Sequence, residues 1–216
     1  MLELNGINII SEGERHGKPS NLFWPWMAGN VSLLALSYGA FFLGYGISFW
    51  QATVAAILGT VGSFALVAIS SLAGKKSNAP TMTLSRAIFG VKGNLVPGFL
   101  SYLLFVGWET VLVSLATLAT VSQIPTGSNK GFIGALIFGI TGIGLGWVNS
   151  AADYSRYLPR ESSSRAVIGW TIFGASIVPI LMVVYGALIA GSSKALSDQV
   201  AADPIGALTT LLPTWY

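Results

Sequence analysis

The 216-residue sequence contains no cysteine and a single histidine, His16. A disulfide framework, a thiol nucleophile and a thiolate metal site are therefore excluded. One histidine in a polar tail also argues against a histidine-based metal centre. Charge is the scarcest property: Asp, Glu, Lys and Arg make up 9% of the chain, against about 25% in soluble domains. So few charges cannot cover a soluble domain of this size, and a water-soluble enzyme is excluded on that ground. Intrinsic disorder is excluded by the opposite property, because 53% of residues are hydrophobic and the mean hydropathy is +0.69, whereas disordered chains are polar and charged. What remains is an all-α integral membrane protein.

No Asp, Glu, Lys or Arg occurs between Lys18 and Lys75, a stretch long enough for two crossings at about 20 residues each. Five transmembrane helices are predicted, over 23–46, 49–74, 97–120, 131–152 and 166–191. The apolar segments are long and near-continuous, without the ten-residue alternation of a membrane barrel. Residues 1–20 read as a cytoplasmic N-terminal tail without a signal-peptide pattern, and 21–216 as one transmembrane domain. Residues 204–216 (PIGALTTLLPTWY) are apolar but too short to span, and read as the start of a truncated further helix. Nine of the eleven Lys and Arg residues fall in the tail and in the second-to-third and fourth-to-fifth loops; only Lys130 and Lys194 fall on the other side. The positive-inside rule then places the N-terminus in the cytoplasm of a multi-pass protein of the cytoplasmic membrane. The basic loops serve as topology determinants and at most as lipid-headgroup contacts, and nothing in the chain has the pattern of a nucleic-acid module.

Several residues are out of place in a bilayer. Glu109 lies in the middle of the third predicted span, where a carboxylate costs about 2.5–3.5 kcal/mol on insertion scales. Such a group reads as a ligand- or proton-binding acid facing a cavity, with an internal pairing as the alternative. Thr110, Ser114 and Thr117 form a hydroxyl stripe that bonds back to its own helix. Trp24, Trp26, Trp50, Trp170 and Trp215 lie near span ends, as interfacial anchors do. Trp108 and Trp147 do not, and an aromatic face beside a buried acid suits a flat heterocycle with a hydrogen-bonding edge.

The fourth span carries Gly131, Gly134, Gly139, Gly142, Gly144 and Gly146, with Asn149 following. A run of this kind marks close packing or an unwound segment that exposes its backbone to a substrate. The first span has a similar interruption at Gly29-Asn30-Val31-Ser32, whereas Ala55, Gly59 and Ser63 in the second form a packing ridge. Asp153 and Arg156, three apart before Pro159, suit pairing on one helical face and a gating or structural role.

The run SAADYSRYLPR at 150–160 resembles a signature of the nucleobase–cation symporter-1 family, the purine–cytosine permeases. Gly107-Trp108-Glu109-Thr110 and the opening stretch NLFWPWMAGNVSLLALSYGAFFLGYG at 21–46 are similar to that family as well. The resemblance implies a partial leucine-transporter-type fold of inverted repeats. It also implies cation-coupled symport of a nucleobase or related heterocycle, such as cytosine, a purine or a hydroxymethylpyrimidine, with Na+ or H+ as coupling ion and no other cofactor. It places Trp108 against the base, a second wall at 144–149 with Trp147 and Asn149, Asn30 and Ser32 near substrate or cation, and Glu109 at the ring's N–H edge or in proton coupling. The family has two helices between the third helix and the DYSRY element. Here only 121–130 separates the third span from the fourth, which carries that element, so an internal deletion is expected, as is the absence of the eighth helix. The alternative is a transport-inactive truncated remnant, or a small membrane subunit that needs a partner.

Overall fold

The computed structural model describes residues 5–118 and 127–211, without the side chains of 105 and 108–118. Its described secondary structure is entirely helical: α1 (Phe23–Gly29), α2 (Ala35–Gly44), α3 (Phe49–Ser77), α4 (Thr81–Leu84), α5 (Arg86–Gly93), α6 (Leu95–Leu118), α7 (Asn129–Phe138), α8 (Ser164–Ser192), α9 (Lys194–Ala202) and α10 (Pro204–Leu211). A π-helical segment, Gly139–Gly144, and a 3-10 segment, Leu145–Ser150, follow α7 directly.

Among the described residues, three helical stretches are long and apolar enough to cross a membrane: Phe49–Ser77, Asn129–Ser150 and Ser164–Ser192. A fourth arises if Arg86–Gly93 and Leu95–Leu104, bent by 98°, count as one span. The first predicted span is two short helices of 7 and 10 residues, separated at residues 30–34. The break falls where Asn30 and Ser32 were expected to interrupt it.

Local chemistry accounts for the helix ends. Serines cap three of them: Ser128 accepts from Gly131 N at 3.1 Å, Ser193 from Leu196 N at 3.2 Å and Ser163 from Ala166 N at 3.4 Å, each satisfying an amide that the helix leaves free. Helix α3 carries Lys75 and Lys76 in its last turn, where cations complement the helix dipole. It ends at Asn78, whose φ of 63° is left-handed, a conformation asparagine tolerates at a helix terminus.

The chain divides into two compact units. Unit one comprises Met1–Gly29, Val61–Gly107 and Gly144–Ser176; unit two comprises Asn30–Thr60, Trp108–Ile143 and Ile177–Tyr216. In unit two, Phe138 at the end of α7 is ringed by Tyr38, Phe41, Phe42 and Tyr45 at centroid distances of 5.5 to 6.4 Å. Helix α9 packs on α2, where the buried Ser37 hydroxyl donates to Val200 O at 2.8 Å. The predicted packing ridge on α3 is present. A Cβ on Gly59 would lie 2.9 Å from Gly139 Cα, so two backbones approach more closely than any larger residue allows. In unit one the same ridge sets Ser63 against Gly144, where a Cβ would meet the Ser63 hydroxyl.

The N-terminal segment is an integral part of unit one. Ile10 is buried, and its backbone N–H and C=O are both bonded to Asn78, at 3.1 Å to the backbone carbonyl and 3.0 Å from the side-chain amide. Arg15 donates to the carbonyls of Lys75 and Leu158, and His16 N to Tyr157 O at 2.7 Å.

Candidate functional site

The glycine-rich stretch after α7 abandons α-helical geometry, passing through a π segment into a 3-10 segment. Such departures are frequent at functional sites because they re-aim side chains and free backbone groups. Trp147 stands in the 3-10 segment, half-buried. Its ring lies against Gly29 at the end of α1, where a Cβ would be 3.5 Å from the indole. In unit one, therefore, the 3-10 segment and the end of α1 meet through one indole. The ring also packs edge-on against Trp26 at 6.3 Å.

Trp26 was expected to be an interfacial anchor. Instead it is 1% exposed and forms edge-to-face contacts with Phe64 at 6.4 Å and Tyr154 at 5.4 Å as well as Trp147. An indole can anchor at an interface or fill a core, and its position near a span end does not separate the two. Here the aromatic neighbours on α3, in the 3-10 segment and at Tyr154 decide for the core. Trp24 and Trp50, at 62% and 73% exposed, do present their rings outward. Trp215 lies outside the described residues.

The DYSRY element is tied down residue by residue. Asp153 accepts from the backbone N–H of Thr81 at 2.9 Å and its hydroxyl at 3.2 Å. Tyr154 closes the aromatic cluster. Ser155 is buried and donates to Ser71 O on α3. Arg156, 4% exposed, donates to the carbonyls of Gly6 and Asn8 at 2.9 and 3.2 Å, and its guanidinium lies 5.0 Å from the Tyr157 ring centroid. Tyr157 receives the His16 N–H and packs against its imidazole at 5.4 Å. These contacts are structural, joining α3, α4 and the N-terminal segment.

Charged groups at the edge of this assembly act on one another. Glu12 accepts from Arg160 Nε at 2.9 Å and Asn78 Nδ2 at 2.9 Å, and it forms ion pairs with Arg15 and Arg160. The Arg160 and Asn78 hydrogen bonds hold its carboxyl below the usual 4.5. The Ser11 backbone N–H and hydroxyl, both 2.8 Å from Glu14, lower that acid likewise. Lys75, expected in a basic loop, is 6% exposed and donates to Ser162 O and the Ser164 hydroxyl at 2.7 and 3.0 Å.

The other expected site residues divide as follows. Asn149 is half-buried, two residues after Trp147. In unit two, Asn30 is 7% exposed and Ser32 is exposed, its hydroxyl accepting from Leu34 N at 3.3 Å. Trp108 and Glu109 lie on the backbone of α6, and their side chains are outside the described residues. Among the described residues no group of three or more His, Cys, Asp or Glu could hold a metal ion. The sequence reading missed Trp26, Tyr154 and Thr81; only the spacing of Trp26 three residues before the Gly29 break could have drawn attention to the first.

Comparison with known proteins bears on this arrangement. A family model described as "Permease for cytosine/purines, uracil, thiamine, allantoin" matches residues 9–134 and 119–216. The chain belongs to this permease family. Its members are described as transporters of small molecules, and the long apolar helices fit a multi-pass membrane protein. One curated relative, "Putative purine-cytosine permease YxlA" of Bacillus subtilis (strain 168), is 25% identical over 250 residues, taking in 88% of this chain and 55% of the relative. Another, "Putative allantoin permease" of Escherichia coli (strain K12), is 29% identical over 156 residues, 63% of this chain and 32% of the relative. The chain thus spans about half the length of the first relative and about a third of the second. No solved structure matches it.

The family match falls in two pieces that overlap at 119–134, which takes in the stretch between the third and fourth predicted spans. For the first relative, 88% of 216 residues is about 190, so about 60 of the 250 aligned positions have no counterpart in this chain.

Proposed function

We propose that this chain is built for cation-coupled symport of a nucleobase-like heterocycle, with cytosine, a purine or a hydroxymethylpyrimidine as the substrate class. The observation that carries the reading is the half-buried Trp147 ring, held on unwound backbone against Gly29 at the end of α1. A fixed indole face offers stacking to a planar base, and the change from π to 3-10 geometry beside it re-aims the side chains of that turn toward the ring edge. Trp108, Glu109, Asn30, Ser32 and Asn149 enter the proposal from the sequence resemblance. So do coupling by Na+ or H+ and a partial leucine-transporter-type arrangement; the five spans come from apolar run length, and the cytoplasmic N-terminus of a cytoplasmic-membrane protein from the charge distribution. Asp153 and Arg156 are assigned a structural role at the foot of the site.

A second reading is favoured by the roughly 60 positions that lack a counterpart. That length matches two helices with their connections, and a transporter without them would be a transport-inactive remnant or a subunit completed by a partner. Uptake of radiolabelled cytosine, adenine and hydroxymethylpyrimidine into proteoliposomes, with and without a Na+ or pH gradient, separates the readings. Gradient-dependent uptake abolished by Glu109→Gln and Trp108→Ala is expected for the symporter. Saturable binding without uptake, together with a higher-mass species on blue-native electrophoresis, would favour the partner-dependent subunit.

A further inference from the structure

Helix α5 and the start of α6 form a surface unlike the rest of unit one. The two helices meet at 98°. If α6 crosses the bilayer, α5 lies along its surface. Gly90, at φ 68°, kinks α5 into two short turns, with Arg86, Ile88 and Phe89 before the kink and Val91 and Lys92 after it; Ile88, Phe89 and Val91 are 81%, 53% and 74% exposed. Leu95, Val96 and Phe99 continue the exposed apolar surface onto α6 at 75%, 63% and 60%. Exposed apolar and cationic residues together on a short segment bent away from a spanning helix are the composition of a stretch seated at the headgroup–acyl boundary.

A cavity of about 320 Å³ opens beside this corner, lined by Ile7, Thr83, Arg86, Asn94, Ser101 and Tyr102 among others. Its polar residues are largely committed. The Thr83 hydroxyl donates to Ile7 O, and the Asn94 amide donates to Met82 O while its carbonyl accepts from Ser85. Arg86 differs. Among the described residues no acid lines the cavity, and Arg86 forms no ion pair or side-chain hydrogen bond with any of them. A half-buried guanidinium at an apolar corner calls for an anion, and phosphate oxygens suit its planar fork.

We propose that this corner is a binding site for an anionic phospholipid, with the headgroup phosphate on Arg86, assisted by Lys92 and the Tyr102 hydroxyl, and an acyl chain along Leu95, Val96 and Phe99. Lipid is favoured over a protein partner because the apolar surface is continuous with a helix of membrane-spanning character and the cation sits at its polar edge. The inference rests on the reading of α6 as a membrane-crossing helix, which recovery of the full chain in nanodiscs checks first and separately.

The test is native mass spectrometry of the full chain released from nanodiscs of phosphatidylcholine with one-fifth phosphatidylglycerol. The wild type is expected to retain one phosphatidylglycerol at least fivefold over its bilayer share. Arg86→Gln should reduce retention to that share, Arg86→Lys should keep part of it, and Lys130→Gln should leave it unchanged. Equal retention of the two lipids, or unchanged preference in Arg86→Gln, would overturn the proposal. Displacement of the lipid by inorganic phosphate alone would also overturn it, by showing a simple anion site. So would loss of lipid on formation of a dimer, by showing that a second copy covers the corner. If Arg86→Gln cannot be recovered folded, Lys92→Gln and Phe99→Ser, alone and together, must each weaken the preference.

Discussion

Replacing Trp26 by alanine separates the core assignment of this indole from an interfacial one. Trp26 is 1% exposed and touches Phe64, Trp147 and Tyr154 edge-on at 5.4 to 6.4 Å. Between helices in a bilayer the transfer term is small, because lipid tails are as apolar as the side chain. The cost must therefore come from lost contacts and an unfilled void. A void on the order of 100 Å³ at about 24 cal/mol per Å³ costs roughly 2.4 kcal/mol. Three lost edge-to-face contacts at about 0.5–1.5 kcal/mol each add to this. The total falls at roughly 4–7 kcal/mol, at or above the 3–5 kcal/mol usual for Trp→Ala in a core. At a few degrees per kcal/mol, Tm should fall by on the order of 10 °C or more. Thermal unfolding in detergent, followed by size-exclusion recovery of the monodisperse peak, measures it. Trp26→Phe should recover about half, and Trp24→Ala, at an exposed ring, should change Tm by no more than a degree or two. A Trp26→Ala shift no larger than that of Trp24→Ala would refute the reasoning.

Other sites yield sharp expectations. Gly59→Val should destabilise the chain by roughly 1–3 kcal/mol, because a Cβ there already lies 2.9 Å from Gly139 Cα; Gly62→Val, where a Cβ meets nothing within 4 Å, is the matched control in the same melting assay. Removing the Asp153 acceptor with Asp153→Ala should loosen the α4 turn at Thr81, read as faster amide exchange at Thr81 while the α8 amides keep their protection. The docked N-terminal segment should respond to acid. Since Glu12 has its folded pKa below 4.5 through Arg160 and Asn78, its contribution is complete above the ordinary carboxylate range and lost as pH falls through the lowered value. Limited proteolysis of the segment should accelerate below about pH 4.5 in the wild type, and Glu12→Gln should show the fast rate already at pH 7.

The long helices were legible because apolar run length is a direct physical signal. Predicted spans at 49–74 and 166–191 became Phe49–Ser77 and Ser164–Ser192. Glycine crowding marked the stretch that leaves α geometry for π and 3-10 turns and packs closely on α3, and Gly29-Asn30 marked the break after α1, since both lower the local preference for an α-helix. The burial of Trp26 was not legible, because an indole near a span end has the same sequence context in a core or at an interface. Nor was the docking of the N-terminal segment. Arg15, His16 and Arg156 are held there by backbone carbonyls, which leave no residue-type signature. The bend into α5 was hidden for a related reason: Arg86 and Lys92 read as loop charges, and Gly90, at φ 68°, gives no sign of which way the chain turns.

The most direct test of the transport account is equilibrium binding of a heterocycle panel to the full chain in nanodiscs, with Trp147 intact or replaced. Saturable binding of at least one of cytosine, adenine, allantoin or hydroxymethylpyrimidine is predicted. Trp147→Ala should weaken it by roughly 5- to 150-fold, the range for losing one stacked base at about 1–3 kcal/mol, with Tm falling by far less than in Trp26→Ala. Binding of a panel member with the same Kd in Trp147→Ala and wild type, or of none of them, would contradict the account.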